Sequence, residues 1–188
     1  EAVDLVLAES VPGVVFTAQL NDKLRDSILS KGVADYVLKQ GAYNISYVVN
    51  MVGRLLKNRD IQALVVSSDA AKRHQIGRWL SMQNLQVLEA QNGEEALALL
   101  AREKSLRAVI VDFGIEDIPS FSLISRMRES SSAEELAIIG ISNVNDRSVG
   151  IHFVKSGASD VLVYPFPPEE LHCRVNRSLE LIEQFFRL

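Results

Sequence analysis

The chain has 188 residues and a formal net charge of −4, with 47% hydrophobic and 23% charged residues. This is the composition of a globular protein of one or two domains. The negative charge argues against nucleic acid as a direct partner, and the apolar runs are too short to cross a membrane. The single cysteine, Cys173, excludes a disulfide framework and favours a reducing compartment, so we expect a cytoplasmic protein.

The first 60 residues alternate between helical and strand-like patterns. Short apolar runs between helix-length amphipathic stretches are typical of a parallel α/β layer. The pattern predicts helices at 1–10, 22–32 and 44–58 and strands at 11–18 and 35–39. A short polar break at 58–60 separates this part from the next, without a Pro/Gly/Ser linker, so the two parts are expected to lie close together.

Residues 61–188 contain five strand patterns that alternate with five helix patterns. Their apolar runs are continuous, as in strands that are buried on both faces of a parallel sheet. The expected strands are 61–68, 85–90, 107–112, 136–142 and 160–164, and the expected helices are 69–82, 92–103, 120–130, 146–157 and 167–186. This alternation predicts an α/β, flavodoxin-like, doubly wound parallel sheet with strand order 2-1-3-4-5.

The two parts of the chain repeat one another. The segment KGVADYVLKQG (31–41) corresponds to SGASDVLVYPF (156–166). Three pairs of residues stand 125 positions apart: Gly32 and Gly157, Asp35 and Asp160, and Thr17 and Ser142. A constant spacing over two elements indicates an internal duplication with a domain-sized period. Residues 1–60 then correspond to the C-terminal half of a domain, and residues 61–188 to a complete copy.

Polar side chains end four of the five strands predicted in 61–188. In an open parallel sheet of this order, the functional crevice lies at the carboxyl ends of the strands. The residues that this rule selects are Ser67, Ser68, Asp69, Asp112, Ser142 and Tyr164.

The ordered motifs ALVVSSD, AVIVD, IIGIS and SGASDVLVYPF resemble the receiver domains of two-component response regulators, over the whole of 61–188. Residues 1–60 resemble the second half of another receiver. In that family an aspartate at the end of strand three accepts a phosphoryl group from a histidine kinase. An acidic pair after strand one holds Mg²⁺, a Thr or Ser ends strand four, and a lysine ends strand five.

The resemblance makes Asp112 the phospho-acceptor of the second receiver and Ser142 its supporting hydroxyl. The acidic pair falls on the neutral Ser67 and Ser68, and the lysine falls on Tyr164. A carboxylate accepts a phosphoryl group only where cations neutralise the developing charge. Both charged partners are expected to be missing, which predicts a degenerate pseudo-receiver in which Mg²⁺ binding is weak or absent.

In the first receiver the resemblance assigns Thr17 to the hydroxyl, Tyr36 to the aromatic switch residue and Lys39 to the lysine. The second receiver has Val161 at the position of the switch residue. The acceptor aspartate and acidic pair of the first receiver would precede Glu1. Mg²⁺ is therefore expected only for an intact first receiver.

Some positions keep two interpretations. Asp69 is either the N-cap of the next helix or a weak metal ligand beside Asp112. Tyr164 either bonds Asp112 through its hydroxyl or only packs. Ser67 and Ser68 are expected to bond to nearby backbone amides.

Two functions compete. The first is a tandem receiver region that serves a phosphorelay, with a sensor histidine kinase or phosphotransfer protein as partner. The paired arrangement resembles the front of response regulators that end in a diguanylate cyclase, so an output domain in the same chain is expected, and a homodimer is possible. The alternative is a phosphorylation-independent protein–protein interaction module. An enzyme with flavin is disfavoured, because no Ser/Thr/Gly run follows strand one to cradle a phosphate.

Overall fold

The computed structural model describes residues 12–19, 21–39, 43–143 and 147–185. The helix expected at 1–10 lies outside the described residues. In the N-terminal segment the structure has β1 (Val14–Thr17), α1 (Asp22–Ser30), β2 (Asp35–Leu38) and α2 (Tyr43–Asn58). Strands β1 and β2 pair in parallel, with Val14 opposite Asp35 and Thr17 opposite Leu38. The small buried core of this segment comprises Ala34, Val37, Met51 and Leu55.

Five further strands form a second, entirely parallel sheet. The elements are β3 (Gln62–Val66), α3 (Ala70–Met82), β4 (Gln86–Ala90), α4 (Gly93–Arg102), β5 (Leu106–Asp112), α5 (Ser120–Ser130), β6 (Ala137–Ser142), α6 (Arg147–Lys155), β7 (Asp160–Val163) and α7 (Pro168–Phe185). The strand order is β4-β3-β5-β6-β7. The predicted order 2-1-3-4-5 is therefore confirmed.

Helices cover both faces of this sheet, which explains the continuous apolar strands. Along β5 successive side chains point to opposite faces. Val109 and Val111 pack into a core shared with α4, α5 and α6, whereas Ala108 and Ile110 pack into a core shared with α3 and α7. No helix within the described ranges is long and apolar enough to span a membrane.

A glycine lets α6 approach the sheet closely. Gly140 lies on β6, and a Cβ atom there would come within 2.4 Å of Cδ1 of the buried Phe153 ring. The same ring meets Phe121 of α5 edge-on, with ring centroids 5.0 Å apart. Because Gly140 has no side chain, the Phe153 ring can lie against β6 and make this aromatic contact.

The N-terminal segment joins the five-stranded sheet through buried polar side chains. Gln83, 4% exposed, donates from Nε2 to the carbonyl oxygen of Ala34 (2.6 Å) and accepts at Oε1 from Nδ2 of Asn176 (2.9 Å). Its own carbonyl accepts from Nδ2 of the fully buried Asn58 (2.9 Å). We call Asn58, Gln83, His172 and Asn176 the polar joint. These hydrogen bonds hold the N-terminal segment against the five-stranded part, because leaving a buried amide group unpaired lowers the stability by about 1–3 kcal/mol.

His172 completes the joint as a neutral imidazole. Its Nε2 lies 2.7 Å from the carbonyl oxygen of Trp79 and therefore donates, so Nδ1 accepts from Nε2 of Gln83 (3.1 Å). Burial lowers the pKa of His172 from 6.5 to about 4, against the smaller opposing effects of the Trp79 hydrogen bond and the charge of Glu169.

This depressed pKa predicts a stability that falls in acid. The unfolded chain takes up a proton at His172 at a higher pH than the folded chain does. The contribution is therefore complete above pH 6.5 and is lost between pH 6.5 and about 4. We expect the free energy of unfolding to drop by about 3 kcal/mol over this window. Urea unfolding across the window, compared between wild type and His172→Gln, measures the loss. Parallel pH profiles for the two proteins would show that another group is responsible.

Candidate functional site

The carboxyl ends of β3, β5 and β6 bring three predicted site residues to one edge of the sheet. Ser67 follows β3, Asp112 ends β5 and Ser142 ends β6, and all three are buried. The carbonyl oxygen of Ser142 accepts from the backbone N–H of Tyr164 (2.7 Å), which brings β7 to the same edge. The parallel sheet thus gathers residues that are up to 97 positions apart in the sequence.

A lysine that the sequence analysis missed binds the central carboxylate. Nζ of Lys72 lies 3.0 Å from Oδ2 and 3.2 Å from Oδ1 of Asp112. The two side chains are only 9% and 4% exposed. Nζ also donates to Oδ1 of Asn143 (3.0 Å). The ammonium group therefore neutralises Asp112 inside the protein, where an unpaired charge would be strongly unfavourable.

The start of α3 delivers this lysine. Asp69 caps the helix, because its Oδ1 accepts from the backbone N–H of Lys72 (3.0 Å). That hydrogen bond is the main cause that lowers the pKa of Asp69. The side chain of Asp69 is thus an N-cap, the first of its two interpretations. The cap fixes the first turn, from which the Lys72 side chain reaches β5.

Tyr164 occupies the lysine position at the end of β7, but Asp112 has a cationic partner from another element. The positive charge comes from α3 instead of from the end of β7. A weak signal was present, since a lysine in the first turn of a helix interacts unfavourably with the helix dipole and gains from a nearby anion. No pattern in the sequence identifies that anion as Asp112, which lies 40 positions away.

Tyr164 makes contacts other than a bond to Asp112. Its hydroxyl donates to Oε1 of Gln75 (3.1 Å). Its ring lies beside the lysine, with Nζ of Lys72 5.1 Å from the ring centroid, a cation–π distance. The aromatic ring therefore closes the remaining side of the ammonium group.

The two serines after β3 do different things. Ser67 donates from Oγ to Oδ2 of Asp112 (2.7 Å) and accepts from the backbone N–H of Asp69 (3.2 Å). Ser68 donates to the carbonyl oxygen of Gln91 (3.3 Å). The expected bond to a nearby amide is present for Ser67, and in addition Ser67 is a direct partner of the Asp112 carboxylate.

The sequence model of the response regulator receiver domain family matches residues 63–176. The chain belongs to this family. A solved structure of a probable two-component system response regulator/GGDEF domain protein is 41% identical, with a TM-score of 0.89 over 97% of this chain and 74% of that one. The chemotaxis response regulator CheY4 of Vibrio cholerae shares the fold, with a TM-score of 0.58 at 23% identity over 63% of this chain and 98% of that one.

Curated relatives agree with this family assignment. The probable transcriptional regulator ycf27 of Porphyridium aerugineum is 29% identical over 121 residues. The match covers 64% of this chain and 49% of the relative, so the chain spans about half the length of that protein. The chain is therefore a response regulator receiver of a two-component system.

Receiver domains generally bind Mg²⁺, but the residues around Asp112 do not fit this ion. Mg²⁺ is held by carboxylates, water and phosphate oxygens. Here Ser67 and Ser68 are neutral, Asp69 is used as a helix cap, and both oxygens of Asp112 contact an ammonium group. Within the described parts of the chain, no three His, Cys, Asp or Glu residues are grouped to hold a metal ion.

In the N-terminal segment, Thr17 and Lys39 meet at the ends of the two strands. The backbone N–H of Lys39 donates to the carbonyl oxygen of Thr17 (2.8 Å). The Thr17 hydroxyl donates to the carbonyl oxygen of Gln19 (2.6 Å). The side chain of Lys39 is exposed. The structure thus brings two of the three predicted residues of this segment to one edge.

The third residue, Tyr36, contacts α7. Its hydroxyl donates to Oε1 of Glu169 in the first turn of α7 (3.2 Å). Arg25 of α1 binds the same carboxylate with two nitrogens, Nε to Oε1 at 2.6 Å and Nη2 to Oε2 at 3.2 Å. We call Arg25, Tyr36 and Glu169 the Glu169 cluster.

Charge and burial act in opposite directions on Glu169. Burial alone would raise its pKa, but the hydrogen bond and charge of Arg25, with help from its own backbone N–H and Tyr36, hold the pKa below the ordinary value. The carboxylate is therefore ionised at neutral pH and forms a bidentate, charge-assisted pair, which is the stronger class of hydrogen bond.

Proposed function

We propose that this chain is the tandem receiver region of a response regulator. Residues 1–60 are the C-terminal half of a first receiver, which is phosphorylated on an aspartate that precedes Glu1. Residues 61–188 are a second, degenerate receiver that takes no phosphoryl group and passes the signal on. The 125-residue repeat and the parallel pairing of β1 with β2 support this division.

The observation that carries the proposal is the Glu169 cluster. Tyr36 lies on β2, a strand of only four residues whose carboxyl end is next to Thr17 and Lys39. A rearrangement around a phosphoryl group at that end would therefore need to extend only two or three residues along β2 to displace Tyr36. Because Tyr36 and Arg25 share the carboxylate of Glu169, any such shift changes the forces on the first turn of α7.

The helix α7 can carry that change away from the joint. It has 18 residues, so it is about 27 Å long, and it runs to Phe185 at the end of the described chain. At its far end Glu183 pairs with Arg54 (2.6 Å) and Lys57 (2.9 Å) of α2. Helix α7 is therefore held to the N-terminal segment at both ends and at the polar joint, so a shift at its first turn is passed along the helix as a whole.

The solved response regulator/GGDEF domain protein suggests a diguanylate cyclase as the output domain in the same chain. The input is then a sensor histidine kinase or phosphotransfer protein, and Mg²⁺ belongs to the first receiver, where Thr17 and Lys39 would face the phosphoryl group. A cytoplasmic location and a homodimer in which two output domains meet are consistent with this role.

We expect Glu169→Gln to uncouple the two receivers. The amide can still accept from Tyr36 but loses the charge that binds Arg25. Allosteric coupling of about 1–3 kcal/mol corresponds to a roughly fivefold or larger effect. In the full-length protein, output activity is measured with and without beryllofluoride, a phosphoryl mimic. The ratio should fall at least about fivefold in the variant, since most of that coupling is lost.

The neighbouring Glu170 supplies the matched control. It is in the same helical turn but pairs with Arg174 instead, at 3.5 Å. Glu170→Gln should keep the wild-type ratio, and hydrogen exchange of α7 should respond to beryllofluoride in wild type and Glu170→Gln only. Equal ratios for both variants would contradict the role of Glu169.

The alternative is an interaction module that works without phosphorylation. The neutral Ser67 and Ser68 favour it for residues 61–188. The same experiment separates the two functions, because a phosphorylation-independent module gives no response to beryllofluoride even in the wild-type protein. If the wild-type protein responds to beryllofluoride and Glu169→Gln responds equally, the tandem-receiver function stands. Only the proposed role of Glu169 in coupling the two receivers is then rejected.

A further inference from the structure

Asp112 has polar partners from its own chain on both carboxylate oxygens. Ser67 occupies Oδ2 at 2.7 Å, and Lys72 approaches both oxygens at 3.0 and 3.2 Å. Ser120 donates to the backbone carbonyl of Asp112 (2.8 Å) and so fixes the strand end. Both oxygens of the carboxylate therefore have a partner from the chain itself.

The ammonium group is equally well satisfied. A lysine has three N–H donors. Those of Lys72 point to Asp112 and to Oδ1 of Asn143, and the Tyr164 ring lies on the remaining side at 5.1 Å. The partners come from the ends of β5, β6 and β7, so the lysine ties three strands to α3.

We infer that Lys72 is a built-in counter-cation that takes the place of the metal ion at this receiver's site. Its ammonium group keeps the charge of Asp112 neutralised whether or not Mg²⁺ is present. The inference deepens the proposed role of residues 61–188 as the receiver that takes no phosphoryl group. Its test does not depend on the first receiver.

The buried ammonium group has two physical consequences. A divalent cation would have to enter beside it, so like charges repel the ion, and the one carboxylate at the site is already bound by Lys72. Removing the lysine alone leaves a buried carboxylate with the Ser67 hydroxyl but without a charged partner, which is more unfavourable than removing both charges together. Lys72 therefore both stabilises the site and prevents it from binding a metal ion.

The first test is a double-mutant cycle on the whole chain, with thermal melting as the measurement. Lys72→Met and Asp112→Asn should each lower the Tm. The double variant should melt at a higher temperature than Lys72→Met and should lose less than the two single changes together. Additive losses would mean that the two side chains do not act as a pair and would overturn the inference.

The second test asks whether Lys72 excludes the metal. Ser68→Asp places one carboxylate at a position where the family has its acidic pair. With Lys72 in place, MgCl₂ should leave the Tm of this variant unchanged, whereas with Lys72→Met added, MgCl₂ should raise it. Lys155→Met is the matched control, because Lys155 is an exposed lysine on α6. An equal rise with Mg²⁺ for Ser68→Asp alone, or for Ser68→Asp with Lys155→Met, would overturn the inference.

Discussion

Acetyl phosphate should leave Asp112 unlabelled in the wild-type chain. Residues 1–188 contain the proposed degenerate site but not the proposed acceptor of the first receiver, so intact-mass measurement reports on the second receiver. We expect labelling to be suppressed by roughly 10²–10⁴-fold, if two charge-assisted contacts of about 1.5–3 kcal/mol each are absent from the transition state.

The contacts that are absent are those of a metal ion. Lys72 offers one positive charge, but its donors already hold Asp112 and Asn143, and Asp112 would have to give up these bonds to attack a phosphorus atom. A transferring phosphoryl group carries about two negative charges and needs more than one cation around it. A single lysine that pairs with the nucleophile therefore inhibits the reaction more than it assists.

Reconstruction of the site separates these effects. Ser67→Asp, Ser68→Asp and Tyr164→Lys together restore the charged residues of an active receiver, but with Lys72 present the new carboxylates pair with it. We expect that triple variant to stay unlabelled, and the quadruple variant with Lys72→Ala to show Mg²⁺-dependent labelling. Peptide mapping identifies the site, and Asp112→Asn is the control. Stoichiometric labelling of wild type that disappears in Asp112→Asn would refute the assignment as a pseudo-receiver.

Gly140→Val should be among the most destabilising single changes in the sheet. A Cβ atom would lie 2.4 Å from Cδ1 and 2.6 Å from Cγ of Phe153, a ring that is fully buried. The ring cannot move aside because Phe121 and Phe113 contact it at centroid distances of 5.0 and 6.2 Å. We expect a loss of about 3 kcal/mol or more, which corresponds to a Tm lower by roughly 6–12 °C.

Gly150 provides the comparison for this change. It lies on α6, and no atom is within 4 Å of the position that a Cβ would take. Gly150→Ala should therefore raise stability by up to about 1 kcal/mol through helix propensity. In the Gly140→Val background, Phe153→Leu should recover part of the loss. If both glycine variants melted at the same temperature, steric overlap would not be the cause.

The fold could be predicted from the sequence because its signals are local. The helix at 120–130 has the predicted bounds, and Asn92 accepts from the backbone N–H of Glu95, as expected for an N-cap. Gly157 has a φ of +103°, as a glycine that ends a helix should. Alternation of buried strands and amphipathic helices then leaves few possible sheet orders.

The site could be predicted only in outline. The strand ends were found because the sheet topology decides where they meet. The partner of Asp112 was missed because Lys72 belongs to a polar helical turn of the kind that is usually exposed to solvent. Glu169 has the position of an ordinary acidic residue at a helix start, and its contact with Arg25 spans 144 positions. Contacts of this kind depend on tertiary packing, which leaves no periodic pattern in a single sequence.

The polar joint limits where this protein can be cut to build chimaeras with related proteins. Gln83 uses its amide nitrogen for Ala34 and His172 and its amide oxygen for Asn176, so its partners come from both sides of the boundary near residue 60. A chimaera that is cut there would leave several buried donors and acceptors without partners. The N-terminal segment, Gln83 at the end of α3, and α7 should therefore be exchanged together.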